Sequence, residues 1–375
     1  MKVPVNRPIL NGNESAYLMK CISTGWISSE GPFVTRFESE FAAKVGRKFG
    51  IAVANGTAAL DIAFELLDLQ PGDEVIIPAF TIISCVHQIM RRGAIPILID
   101  CDPNTWNMDT ALIESRISKR TRAILVVHIY GLPTNMDEIE RITQQHGLFL
   151  IEDAAEAHGL LFDGRPCGSF GDVSTFSFYP NKLITTGEGG MLVTNNPELS
   201  NSAKSLRNLC FSQPRYVHEQ LGWNYRMTNI QAAIGVAQLE RWDEFLNRKR
   251  AIGAKYNSLL SDIDQIQLPL SSTKHAENVY WVYGIVMRNG IDGNTISELL
   301  AEKGIGTRNF FCPMHLQPAL IHQGLFAEES YPCAEFLWKY GIYLPSGVGI
   351  TDDEIEYVSQ SLKSILKKLE QGNSK

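Results

Sequence analysis

The sequence predicts an α/β protein: a large first domain built on a mostly parallel sheet, then a smaller α+β domain. Three observations carry that prediction. Apolar runs such as AIPILID (94–100) and RAILVVHIY (122–130) show little alternation, as strands buried on both faces require. Helical periodicity separates those runs through the first two-thirds of the chain, which is the rhythm of a layered α/β domain. The last third has a different texture, and 375 residues with 44% hydrophobic and 20% charged content supply core enough for two domains. The expected division is 1–240 for an N-terminal arm and the large domain, and 241–375 for the smaller one.

Residues 13–24 and 33–45 carry helical spacing on either side of GWISSEGP, whose Gly and Pro break both helices. FGIAVA (49–54) reads as a strand and TAALDIAFELL (57–67) as a helix with apolar positions three and four apart. EVIIP (74–78) is a strand, followed by a helix to Arg92; residues 135–146 form a helix, and LFLIED (148–153) returns as a strand. DVSTFSFYP (172–180) and GGMLVTN (189–195) continue the sheet, and 228–260 reads as one long helical stretch. In the last third, VYWVYGIVM (279–287) is a strand, with helices over 294–304 and 352–369.

Composition removes several function classes. The 41 acidic residues outnumber the 34 basic ones, for a net charge of -7, so no broad positive surface awaits nucleic acid. The clusters Arg91-Arg92 and Arg248-Lys249-Arg250 are expected to be solvated helix faces. No apolar run approaches the roughly 18 residues of a membrane span, and MKVPVNRPILNGNE turns polar too early for a signal-peptide core. A cytoplasmic protein without a membrane partner is the expectation. Seven scattered cysteines with no Cys-x-x-Cys, and eight dispersed histidines, suggest neither disulfides nor a metal site.

Open α/β sheets bind ligands beyond the carboxyl ends of their strands, so the polar residues there are the candidates. Asn55-Gly56-Thr57 follows one strand and opens a helix: either a phosphate cradle of exposed N–H groups or a plain helix cap. Asp153 ends LFLIED, where a carboxylate can anchor a cationic ring nitrogen, hold a metal or cap a helix; without a metal cluster, the ring anchor is preferred. Glu156 lies three residues on and shares a helical face with it, while His158 reads as a packing residue. Lys182 sits in a hydroxyl- and Gly-rich loop after the apolar strand ending in Ser177-Phe178. Desolvating an ammonium costs energy, and what it yields is a free amine for Schiff-base chemistry. A surface lysine on a loop is the competing reading.

Together GWISSEGPFVTRFE, NGTAAL, GDEVIIPAFT, VVHIYG, IEDAAEAHG, GDVSTFSFYPNK, TTGEGG and NYRMTNIQAAIG resemble the pyridoxal phosphate-dependent nucleotide-sugar aminotransferases, the DegT/DnrJ/EryC1/StrS family. The resemblance runs from PVNRPILNGNE to Ile342-Tyr343-Leu344-Pro345-Ser346 and implies the aspartate aminotransferase fold (fold type I). It implies pyridoxal 5'-phosphate as cofactor, alternating with pyridoxamine 5'-phosphate. Lys182 then matches the lysine that forms the Schiff base and moves the proton, and Asp153 the partner of the pyridine nitrogen. Glu156 matches a position near the cofactor O3′ or ring. Gly56, Thr57, the backbone at Ala58, and Ser177 match the phosphate site, and Asn224 a residue reaching it from a neighbouring subunit. Ile82 stands where relatives stack an aromatic ring, which implies looser cofactor binding by roughly 0.5–1.5 kcal/mol.

The resemblance also implies a substrate side. Arg308 and His315, in the segment GTRNFFCPMH, match a loop that closes over the nucleotide sugar, and Trp26 and Ser28 a lip at its mouth. Relatives that dehydrate the sugar carry histidine where this chain has Lys182, so amino transfer is expected. The donor implied is L-glutamate, and the acceptor the C4 keto group of GDP-4-keto-6-deoxy-D-mannose, for surface polysaccharide such as O-antigen. UDP- or dTDP-linked 4-keto or 3-keto sugars, or a regulatory protein that merely binds the cofactor, are the alternatives. A shared site implies at least a homodimer.

Overall fold

The computed structural model of the chain describes residues 1–288 and 290–373. Helices α1 (Glu14–Thr24) and α2 (Pro32–Lys44) lead into strand β1 (Phe49–Val53), helix α3 (Gly56–Glu65), strand β2 (Glu74–Pro78), helix α4 (Ser84–Met90) and strand β3 (Ile95–Ile99). Then come β4 (Thr121–Val127), α5 (Met136–His146) and β5 (Phe149–Asp153), a small hairpin of β6 (Leu161–Phe162) and β7 (Arg165–Pro166), and strands β8 (Val173–Ser177) and β9 (Gly190–Thr194). Helices α6 (Pro197–Arg207), α7 (Asn229–Leu239) and α8 (Trp242–Leu260) precede β10 (Ile266–Gln267), β11 (Tyr283–Met287), α9 (Gly293–Glu302) and β12 (Arg308–Asn309). The chain ends through α10 (Pro318–Ile321), α11 (Pro332–Tyr340), β13 (Gly341–Leu344) and α12 (Asp352–Asn373).

Seven strands form the large sheet in the order β1-β9-β8-β5-β4-β2-β3, with only β9 antiparallel to its neighbours. The architecture is the α/β arrangement on a mostly parallel sheet that the sequence implied. Both faces of the sheet are covered, because residues alternate between two apolar clusters: Ala52, Ile76, Ile124 and Phe176 on one side, Ile51, Val75, Leu125 and Val173 on the other. The parallel register sets Val127 beside Asp153 and Asp153 beside Thr175. Three strand ends therefore open onto one place, next to the N-terminus of α3.

A second sheet, β10-β11-β13-β12, packs with α8, α9 and α12 around a third cluster that includes Tyr256, Tyr283, Ile296 and Leu362. The N-terminal arm touches both it and the large domain. Val3 bridges Ile305, Val5 accepts from Ser346 N–H, and Asn6 Nδ2 donates to Pro180 O at 2.7 Å.

Four expectations are corrected. The stretch 228–260 is two helices, parted at Glu240-Arg241, where the Glu240 carboxylate accepts from Asn13 and Tyr17. The run 122–130 leaves the sheet after Val127, because Tyr130 takes a positive φ of 57° and turns its N–H toward Glu156. The run 279–287 becomes a strand only at Tyr283; Val279–Val282 instead crosses between the two halves, with Val279 N–H bonded to Gly131 O. Nor are the basic clusters simply solvated. Arg92 clamps the buried Asp61, and Lys249 is 4% exposed with its ammonium on Ser346 O. Among the described residues, no helix is long and apolar enough to cross a membrane.

Candidate active site

Where β4, β5 and β8 end, a cavity of ≈ 380 Å³ lies between the large sheet, α3 and the aromatic edge of the smaller domain. Its chemistry comes from Asp153, Glu156, Ser177 and Lys182, and its far wall from Trp281, Phe311 and Tyr343.

Lys182 lies five residues past β8, in a turn closed by its own N–H on Tyr179 O. Its Nζ sits 3.9 Å from the centroid of the Trp281 ring. Burial pulls the ammonium below the ordinary lysine range, and the charges of Glu156 and Asp153 oppose that pull. Trp281 is itself fixed, its indole N–H donating to Asn181 O at 3.0 Å. A lysine set against an aromatic wall loses water, and its neutral form gains accordingly.

Asp153 is the last residue of β5 and is 3% exposed. Burial raises its pKa, with Ala155 N–H and the Lys182 charge working the other way. Its Oδ1 accepts Ala155 N–H at 3.0 Å and its Oδ2 the Cys85 thiol at 3.6 Å. Among the described residues it has no ion pair of its own, so a buried carboxylate faces the cavity ready for a cation. Glu156, 6% exposed, accepts Tyr130 N–H at 2.9 Å. Burial pushes its carboxyl up to about 8 despite Lys182, so the group keeps its proton at neutral pH.

The opposite end is built for an anion. Gly56 and Thr57 open α3 and line the cavity beside Ser177. A Cβ on Gly56 would stand 2.9 Å from Ser177 Cβ, so only glycine allows this approach. The Ala58 N–H, expected to serve the same end, is already donated to Asn55 Oδ1 at 2.8 Å as the cap of α3. Thr175 Oγ1 is buried against the cavity with no partner. A phosphorylated pyridine aldehyde fits this set: a carboxylate for its ring nitrogen, an amine for its aldehyde, and a helix N-terminus with a hydroxyl for its phosphate.

Of the remaining candidates, Ile82 lines the cavity and is 48% exposed. The others stand outside its wall. Arg308 is exposed on β12, paired across the ladder with Tyr343, and so stands near the mouth. His315 is buried, bonded through Nε2 to Glu335 at 2.9 Å and set against the Tyr331 ring. Burial in the structure ties it to α11 instead of turning it to the cavity. Trp26 and Ser28 are exposed, their carbonyls held by the side chain and N–H of Asn229. Asn224 is exposed and pairs with Asn208, away from its own chain's cavity. His158 packs against Trp242, stacked at 5.5 Å, and burial lowers it to about 3.

Residues the sequence reading missed are the wall itself: Trp281, Asn181, Tyr343 and Phe311. For Trp281 and Phe311 the one signal was the aromatic density of VYWVY and NFF.

The sequence matches the family described as DegT/DnrJ/EryC1/StrS aminotransferase over residues 8–363. The GDP-perosamine synthase of Escherichia coli O157:H7 is 40% identical over 363 residues, covering 96% of this chain and 97% of its own. That of Caulobacter vibrioides is 40% identical over 368 residues, covering 97% and 98%. Among solved structures, the PLP form of Spr1654 from Streptococcus pneumoniae superposes with a TM-score of 0.93 at 26% identity, covering 98% of this chain and 99% of the other.

Proposed function

We propose that this chain, which belongs to the DegT/DnrJ/EryC1/StrS aminotransferase family and is a pyridoxal phosphate-dependent enzyme acting on nucleotide sugars, makes GDP-perosamine. The acceptor is the C4 keto group of GDP-4-keto-6-deoxy-D-mannose, the donor is L-glutamate, and 2-oxoglutarate leaves. Relatives of that name, matched nearly end to end at 40% identity, support this acceptor over a UDP- or dTDP-linked sugar.

When bound, pyridoxal phosphate supplies an electrophilic carbon that takes up an amino group and a ring that stores the electrons freed at the donor carbon. The protein's residues do the rest. Asp153 holds the ring nitrogen's proton by charge pairing. Gly56, Thr57 and Ser177 hold the phosphate, and Asn224 of a second copy adds to it. Glu156, protonated, would be a hydrogen-bond donor for the cofactor, a role its pKa of about 8 permits. Lys182 Nζ, desolvated against Trp281, would hold the cofactor's aldehyde carbon; once the glutamate amine has taken its place there, the freed lysine amine would accept the α proton of glutamate and deliver it to the carbon on the far side of the transferred nitrogen. Arg308 at the mouth meets the diphosphate. The enzyme works as at least a dimer, in the cytoplasm, for surface polysaccharide.

The observation that carries this reading is one cavity holding both a buried carboxylate, without an ion pair among the described residues, and a desolvated lysine. The test is product mass after incubating the protein with pyridoxal phosphate, L-glutamate and separate GDP-, UDP- and dTDP-linked 4-keto-6-deoxy sugars. Amination of the GDP sugar alone is the expected result. Conversion of another sugar in its place overturns the acceptor and leaves the chemistry.

A further inference from the structure

The two oxygens of Asp153 are used unequally. Oδ1 takes a backbone N–H at 3.0 Å, a full hydrogen bond, whereas Oδ2 meets only a thiol, Cys85 Sγ at 3.6 Å. Cys85 lies in the first turn of α4 and is wholly buried, and its sulfur also meets Thr81 Oγ1 at 3.7 Å. Burial, then the charge of Asp153, push this thiol well above its ordinary range. It therefore keeps its proton, is no nucleophile, and serves as the donor of the pair.

A chain of contacts thus runs from Thr81 through Cys85 to the carboxylate that ends β5. The geometry points to Cys85 as a positioning residue: its S–H orients Asp153 and favours the ionised carboxylate, so that the cofactor's ring nitrogen keeps its proton. The inference rests on the reading of Asp153 given above and concerns a residue outside the cavity wall. The reasoning is one of proton sharing. A donor bonded to a carboxylate lowers its basicity, and the shared proton then stays on the ring. Without the donor, the proton moves toward Asp153 and the ring becomes a poorer store of electrons. A thiol suits the place because it is a weak donor: it orients the carboxylate and leaves it free to accept a stronger one.

Valine and threonine have nearly the same shape and differ in one hydroxyl, so Cys85→Val and Cys85→Thr separate donor from packing. The holoenzyme, loaded with cofactor carrying 15N at the pyridine nitrogen, is read by NMR, alongside kinetics of the glutamate half-reaction. In Cys85→Val the resonance moves toward the unprotonated value, and kcat falls about three- to tenfold with KM little changed, as the loss of one weak charge-assisted bond implies. In Cys85→Thr both stay near the parent. A Cys85→Val protein with parental resonance and kcat overturns the inference, as does an equal fall in both variants. A parent whose cofactor absorbance ignores glutamate overturns the underlying reading as well, which sets the two failures apart.

Discussion

Glu156 and Lys182 face one cavity with shifts in opposite directions: burial lifts the carboxyl to about 8 and lowers the ammonium. Both move toward neutrality, which is what desolvation does to any charge that lacks full compensation. The folded carboxyl binds its proton more tightly than the unfolded one, so the cofactor-free protein loses stability as pH rises from about 4.5 to about 8. Glu156→Gln removes that loss. Thermal unfolding between pH 5 and pH 9 should show the variant's Tm gaining on the parent's as pH rises; a constant difference would disprove the assignment. Lys182→Ala should abolish turnover while circular dichroism and Tm stay near parental, and residual turnover above about 1% of the parent would count against the lysine's role. Much of this was legible in the sequence, since a lone lysine after an apolar strand and an acid at a strand end are local patterns. The protonation of Glu156 was not, because it comes from burial in the folded cavity, which outweighs the opposing Lys182 charge and Tyr130 N–H.

The elements around the site depend on contacts that cross long stretches of sequence. Asn229, 1% exposed at the start of α7, accepts the N–H groups of Phe33 and Val34 at the head of α2 and donates to Trp26 O. One side chain therefore caps one helix from another and holds the loop carrying Trp26 and Ser28. Asn229→Ala leaves two buried donors bare and should cost about 2–4 kcal/mol, read by urea denaturation. A loss below about 0.5 kcal/mol would show that the loop recaps itself. No sequence signal marked this residue, because capping patterns are read within a helix and here the cap comes from 196 residues away. Strand positions, by contrast, were readable, since continuous apolar runs reflect burial on both faces and need no partner to be named. The wall residues Trp281 and Tyr343 escaped for the same reason as Asn229: the last third folds back over the sheet, and nothing local records where it lands.

At the scale of the molecule, several apolar side chains sit on the surface of the single chain. Trp26, Ile27 and Ile22 are at least half exposed, and Leu221 is 91% exposed beside the segment carrying Asn224. The second copy proposed above would cover them and bring Asn224 to the neighbouring cavity. Light scattering under assay conditions should give twice the chain mass or more, and Asn224→Ala should weaken cofactor binding; an active monomer would refute the shared site.

The arm at residues 3–7 is more than an end. It edges the second sheet through Ile305 and Ser346 and also holds Pro180, two residues before the lysine. Its first residues act as a strut between two parts of the molecule, with Asn6 reaching Pro180 across 174 positions of sequence. Cutting the strut should therefore be felt at the lysine. A protein lacking residues 1–7 should melt several degrees lower and hold its cofactor more weakly, and an affinity handle is better placed after α12 than before Met1.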